Sequence, residues 1–333
     1  MLSYNIKDVA KAAGVSVATV SRVVNKNAVV SPKTTAIVEE TIKQLKFSPN
    51  SMGRNLRKSE TNVILVISPS TKQIFFGDTI LGMQETAQKL GYDIIMCVSD
   101  SNAENEMRLL HMLYNKSVDA AVLIATRLGA EELTQLNRDF HIALCSNRVE
   151  NVDILSVSVD DEGGAYMAVS SLIERGHTKI GMISSKMRVF SSIDRERGYR
   201  RALEEKGIEI NDEYILQTEY DYRSGSDAFR YFMDLKEPPT AIFAISDFLA
   251  IGAVKEALRQ GKKVGKAFPI IGFDNVDVSE IFSPSISTVI QAGYPIGKLI
   301  IEKLVRDIIL NEKSTEDIRI PTEMIFREST EME

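Results

Sequence analysis

The chain has 333 residues, too long for one ordinary domain, and its 44% hydrophobic and 26% charged content excludes a disordered chain. No apolar run reaches the roughly 18 residues of a membrane span, and the start, MLSYNIKDVAKAAG, lacks the apolar stretch of a secretion signal, so a cytoplasmic protein is expected. The net charge of −6 is uneven: residues 1–60 carry ten Lys and Arg against four acids, and the remainder is acidic, which points to a polyanion partner for the head alone.

Residues 1–47 read as three short helices. Asn5 and Asp8 form a capping-box pair for the first, with Val9, Ala12 and Ala13 as its apolar face. Gly14 breaks it, and Ser16 caps a second helix over 17–24 whose Val20, Val23 and Val24 keep the three-and-four spacing of a buried face. After a loop from Asn25 to Val30, Ser31 and Pro32 give the cap and first-turn proline of a third helix, with Ile37, Val38, Thr41, Ile42 and Leu45 directed inward. Residues 48–61 are polar, basic and interrupted by Pro49 and Gly53, and read as a linker.

From residue 62 the texture changes. Short apolar runs at 63–68, 93–98, 120–124, 142–145, 179–183, 241–245, 269–273 and 287–290 alternate with helical stretches at 78–90, 103–116, 131–138, 162–175, 196–206, 224–235, 247–260 and 292–310. Continuous apolar strands separated by helices predict parallel sheets covered on both faces, hence doubly wound α/β units. The length predicts two lobes, with crossings near Asp160–Glu162 and near Gln291. The fold class is therefore α/β: an all-α headpiece over 1–47, a hinge over 48–61 and a two-lobed parallel-sheet core over 62–333.

A helix, a tight turn at Gly14 and a second helix make a helix-turn-helix. Its second helix presents Val17, Ala18, Ser21 and Arg22 outward, a face that fits the major groove, where Arg bonds guanine and small apolar groups meet the thymine methyl. An ordinary helical hairpin with a solvated Arg22 is the alternative.

The segments DVAKAAGVS, TVSRVVN, VSPKT and SPN in the head, with SVDDEGGAYMAVSSLIERGHTKIGMI, PTAIFAISDFLAIGAVKEAL, IIGFDNVDVSEIFSPSISTVIQ and FRES in the body, resemble the lactose-repressor (LacI/GalR) family over nearly the whole chain. The resemblance implies a DNA-binding headpiece, a hinge helix and a core like the periplasmic sugar-binding proteins. By position, Val17, Ala18, Ser21 and Arg22 face bases, and Ser16, Thr19, Asn25, Ser31 and Thr34 contact phosphates. The implied hinge is Asn50–Lys58 with Leu56 as a minor-groove wedge, although Gly53 and Asn55 are poor helix formers there. The family's cores dimerise, which implies a homodimer on a pseudo-palindromic operator.

In α/β sheets ligands sit beyond the carboxyl ends of strands, and in two-lobed folds between the lobes. Asn147, Asp247 and Asp274 follow strands directly, Arg195 opens RERGY, and Phe75, Phe76 and Tyr220 are aromatic candidates. By family position Asp274, Arg195, Asp247 and Asn147 are effector contacts, followed by Phe75, Tyr220 and Gln291; Asn147 stands where many relatives carry Asp. Each has another reading from the residues alone: Asp274 and Asp247 as helix caps, Arg195 as a surface ion pair, Phe75 and Phe76 as core. Enzyme signatures fail, with no GxxxxGK[ST], no GxGxxG after the first strand and no GxSxG. His111, His141 and His177 lie apart without metal-ligand spacing, Cys97 and Cys145 sit in apolar runs, and no cofactor is expected. Three readings remain: a repressor switched by a small molecule such as a sugar, a catabolite-control regulator whose co-repressor is a phosphocarrier protein, and a sugar-binding module that does not bind DNA.

Overall fold

The structure, a computed structural model, describes residues 4–25, 29–45, 47, 60–70, 76–187 and 189–331. The chain divides into two compact units, Met1–Thr61 and Asn62–Glu333.

The first unit holds α1 (Ile6–Ala13), α2 (Val17–Asn25) and α3 (Pro32–Gln44). The capping box at Asn5 is complete: its side chain accepts from the Lys7 and Asp8 amides, and Asp8 accepts from the Asn5 amide at 2.8 Å. Gly14 ends α1 at φ 66°, a left-handed conformation that glycine adopts without a Cβ penalty. Val9, Ala10, Val20, Val23 and Val38 form the core. Two expectations change here. Ala10 is buried and Ala12 exposed, and of the residues expected inward on α3, Val38 and Thr41 are buried while Ile37 is 44% exposed.

In the second unit, β1 (Val63–Ser68), β2 (Asp93–Val98), β3 (Ala120–Ile124), β4 (His141–Cys145), β5 (Ser156–Val159) and β11 (Asp317–Ile320) form one sheet in the order β11-β5-β4-β3-β1-β2, all parallel. The second sheet takes β6 (Ile180–Ser185), β7 (Ile215–Thr218), β8 (Ala241–Ala244), β9 (Ile270–Asp274), β10 (Ser287–Ile290) and β12 (Glu323–Ile325) in the order β12-β10-β9-β8-β6-β7. Its strands are parallel except β12, which pairs antiparallel with β10. Both are doubly wound sheets whose central strands are buried. The chain passes between lobes after Val159 and at Gln291, as expected. It crosses a third time between Ile320 and Glu323, which the sequence reading does not contain. β5, β7, β11, β12 and the short helix Asp277–Ile281 are also absent from that reading, and the helix expected at 196–206 begins at Phe190.

In the first lobe the helices Phe76–Lys89 and Gly293–Leu310 lie almost backbone to backbone. A Cβ on Gly297 would stand 1.9 Å from the Thr79 carbonyl oxygen, and one on Gly82 would stand 2.3 Å from that of Tyr294. Glycine is required at both positions by the closeness of approach.

Candidate functional site

In the headpiece, Val17, Ala18 and Arg22 are exposed along one face of α2, with Ser21 beside them partly buried. Ser16 Oγ accepts the Thr19 amide at 3.1 Å and lies 2.9 Å from the Thr19 hydroxyl. Ser31 repeats this with Thr34 at 3.2 and 2.8 Å. Two helix N-termini thus carry a hydroxyl pair each, with the positive dipole end behind it, the arrangement that suits a phosphate oxygen. Asn25 ends α2; its side chain, together with Asn50, Leu56 and Phe75, lies outside the described residues.

In the core, the carboxyl ends of β1, β3, β4, β6, β7, β8, β9 and β10 converge on a cavity of about 610 Å³. Ser70, Phe76 and Ser146 line it from the first lobe. Ser192, Arg195, Tyr220, Phe248 and Asp274 line it from the second, and Gln291 from the crossing. Arg195 is 3% exposed. Its Nε donates to Asp161 Oδ1 at 2.8 Å, and its Nη1 donates to Asp274 Oδ1 at 3.3 Å and to the Ile245 carbonyl. Its guanidinium lies 3.5 Å from the centre of the Phe273 ring. Burial opposes its charge, but Asp161 and Asp274 outweigh that and hold it firmly protonated. One cation faces two buried carboxylates. Burial raises the Asp274 carboxyl well above the usual range, Arg195 pulls it down, and Asp247 and Asp161 push it further up. Burial likewise raises Asp161 against the pull of Arg195. Gln291 Oε1 is buried at the cavity wall without a hydrogen-bond partner among the described residues, an acceptor available to a ligand donor.

Asp274 owes its direction to a strained turn. It has φ 111° and Asn275 has φ 57°, conformations that cost side-chain-bearing residues about 1–3 kcal/mol each. The turn is held from behind. Asp247 Oδ2 accepts the Val276 amide at 2.9 Å, Asp247 Oδ1 accepts the Thr288 hydroxyl at 2.5 Å, and Arg327 Nη2 donates to Asn275 Oδ1 at 2.8 Å.

This corrects the expectation for Asp247. It is fully buried, does not line the cavity, and props the turn that aims Asp274; the helix cap is Ser246, whose Oγ accepts the Leu249 amide. Burial pushes its carboxyl up to about 7, against the bonds from Thr288 and Val276. Asn147 is also placed differently. It is buried beside the cavity rather than in its wall, and lines a separate space of about 10 Å³; its Nδ2 donates to the Thr126 carbonyl at 3.3 Å, and its Oδ1 is buried without a hydrogen-bond partner among the described residues. Of the sequence-chosen effector residues, Arg195, Tyr220, Asp274 and Gln291 are brought together. Phe76, Asp161, Thr288 and Arg327 complete the arrangement. The signal for Asp161 lay in Asp160–Asp161, which read only as a crossing; Thr288 and Arg327 lie in the STVIQ and FRES segments of the family resemblance, which assign neither a role.

A helix-turn-helix unit and a two-lobed core with a polar cleft at its strand ends define a class: transcription regulators governed by small ligands. Comparison with known proteins narrows it. Residues 5–50 match the profile of bacterial regulatory proteins of the lacI family, and residues 61–328 match that of periplasmic binding proteins and the sugar-binding domain of the LacI family. Catabolite control protein A of Priestia megaterium is 34% identical over 331 residues, covering 99% of this chain and 100% of that protein. The repressor CytR of Escherichia coli K12 is 34% identical over 294 residues, covering 88% and 86%. Among solved structures, the regulator CelR in complex with cellobiose has 26% identity and a TM-score of 0.74, over 98% of this chain and 99% of that one. The lac repressor dimer bound to operator and an anti-inducer shares the fold at a TM-score of 0.90 and 22% identity, over 99% and 100%. The chain belongs to the LacI family of bacterial regulatory proteins. It is a sequence-specific DNA-binding transcription regulator with a ligand-controlled core, not an enzyme. Among the described residues no helix is long and apolar enough to cross a membrane.

Proposed function

We propose that this regulator represses from a pseudo-palindromic operator as a homodimer and is switched by a hydroxyl-rich small molecule, of the sugar class, in the cleft. The observation that carries the reading is the meeting of Arg195, Asp274, Tyr220 and Gln291 in one cavity of about 610 Å³ at the strand ends. Carboxylate and guanidinium groups bond paired hydroxyls, while Phe76 and Phe248 offer apolar faces. In the headpiece, Val17, Ala18, Ser21 and Arg22 read bases, and Ser16, Thr19, Asn25, Ser31 and Thr34 hold phosphates. Asn50 and Leu56 belong to a hinge that orders on the minor groove. Dimerisation draws support from the edge strand β2, where Ile95 and Met96 are exposed, and from Leu81, exposed on the preceding helix. An apolar, unpaired edge is normally covered. Gel shifts on the DNA upstream of its own gene, repeated with a panel of sugars, test the proposal. Sugar-dependent release or tightening of a dimeric complex is expected, and DNA binding that no sugar changes would remove the sugar from the reading. The resemblance to catabolite control protein A favours a second reading, a phosphocarrier protein as co-repressor. Retention of serine-phosphorylated carrier by the immobilised regulator would support it.

A further inference from the structure

The lobes meet at a second polar contact beside the cleft. Arg148 leaves β4 in the first lobe, and Asp194 lies on the helix Phe190–Glu205 of the second, 46 positions away. They pair in a bidentate fork, Nε to Oδ2 at 3.2 Å and Nη2 to Oδ1 at 3.1 Å. Their side chains are only 19% and 9% exposed. The Arg148 guanidinium also lies 5.6 Å from the centre of the Phe190 ring, on the same helix as Asp194. Asp194 Oδ1 takes a further bond from Arg197 at 3.0 Å, and Arg197 reaches back to Glu150 of the first lobe at 3.6 Å. The result is a chain of alternating charge, Arg148–Asp194–Arg197–Glu150, that joins the lobes twice.

We propose that Arg148 and Asp194 latch the two lobes together and that Asp194 is a positioning residue for Arg195. A bidentate, largely shielded pair between elements that no short loop connects is held by its own geometry and resists screening better than a rim pair. Consecutive helical residues point about 100° apart. Asp194 therefore faces the seam between the lobes while Arg195 faces the cavity, and the helix carries any displacement of one to the other. The grip of Arg148 on Asp194 sets where the Arg195 guanidinium meets Asp274 and Asp161. This concerns the coupling between lobes and cleft, and it stands whichever ligand the cleft takes.

Hydrogen exchange read by mass spectrometry on the full chain, without ligand or DNA, tests it through R148A, D194N and the double variant. Amides of β3 serve as an internal reference for a folded core. Each single variant is expected to raise exchange in peptides over 146–154 and 189–197 by about 5–10-fold, with the double variant far short of the product of the two, because both remove the shared Arg148–Asp194 pair. Exchange in 270–276, which the latch does not touch, should rise with them as Asp274 loses its hold on Arg195. Wild-type rates in R148A, or single effects that multiply in the double variant, would overturn the latch. A rise at the seam with 270–276 unchanged would overturn the positioning role of Asp194.

Discussion

Replacing Asp247 by Asn removes a buried titrating carboxyl while keeping its shape. The amide oxygen can accept the Val276 amide and the amide NH2 can donate to Thr288 Oγ1, so both contacts of the prop survive. In the wild type, burial lifts the carboxyl from its usual 3.8 to about 7. Between those values the folded chain keeps a proton that the unfolded chain has lost. Stability from this group is therefore full below about pH 4, falls as pH rises, and levels off above about pH 7. At roughly 1.4 kcal/mol per pH unit the whole span is worth about 4 kcal/mol as an upper limit, and the part between pH 5 and 7 about 2–3 kcal/mol. The variant has no such dependence, and removing the Asp247 charge also relieves Asp274. The gain of D247N over wild type should thus be about 2–3 kcal/mol larger at pH 8 than at pH 5, measured by urea unfolding followed by circular dichroism. Parallel stability curves at the two pH values would refute the reasoning and show that Asp247 does not hold a proton at pH 5.

Arg22→Ala should weaken operator binding by about 1–3 kcal/mol in gel shifts and leave random-sequence DNA nearly unaffected; equal loss on both would assign Arg22 to phosphate. Asp274→Ala should cost about 2–4 kcal/mol of effector affinity by calorimetry, with ligand-free operator binding kept. Gly297→Ala places a methyl 1.9 Å from the Thr79 carbonyl oxygen, and a loss of about 1–3 kcal/mol is expected in urea unfolding; unfolding unchanged from wild type would mean the helices part at no cost. Met96→Asp puts a charge on the exposed edge strand, and sedimentation should shift from dimer to monomer if that edge is the interface.

Much of this fold was legible because its central strands are continuous apolar runs between helices. VILVIS, AAVLI and IIGFD announce buried parallel strands by composition alone. The strands that were missed are edge or near-edge segments with mixed composition. DIRI alternates exposed and half-buried positions, EMI has no buried residue, ILQT is short, and SVSV carries buried serines, of which Ser156 Oγ donates to Asp317 at 2.6 Å. The candidate site divides the same way. Asp274 stands at a strand end where a ligand reading is natural, and Arg195, which reads as the opening of a helix, lies in the second turn of one that begins at Phe190. Asp247 stands near a strand end too, yet the packing of β9 and β10 turns it onto Val276 and Thr288, a direction that spacing does not encode. Asn147 is held aside by Thr126, a partner 21 positions away.

The return of the chain to the first lobe at Gln291 has a consequence for how the chain is made. β11, which completes the first sheet beside β5, spans Asp317–Ile320, while the rest of that sheet ends at Val159. On the ribosome, where roughly 5–20 residues are added each second, the first lobe therefore waits about 8–30 s for its last strand. The second lobe, built mainly from the intervening segment, can gather five of its six strands first, and only β12 follows β11. Until then the β5 edge is unpaired, which makes nascent first lobes on neighbouring chains capable of pairing through it and makes this interval a point at which a chaperone would act.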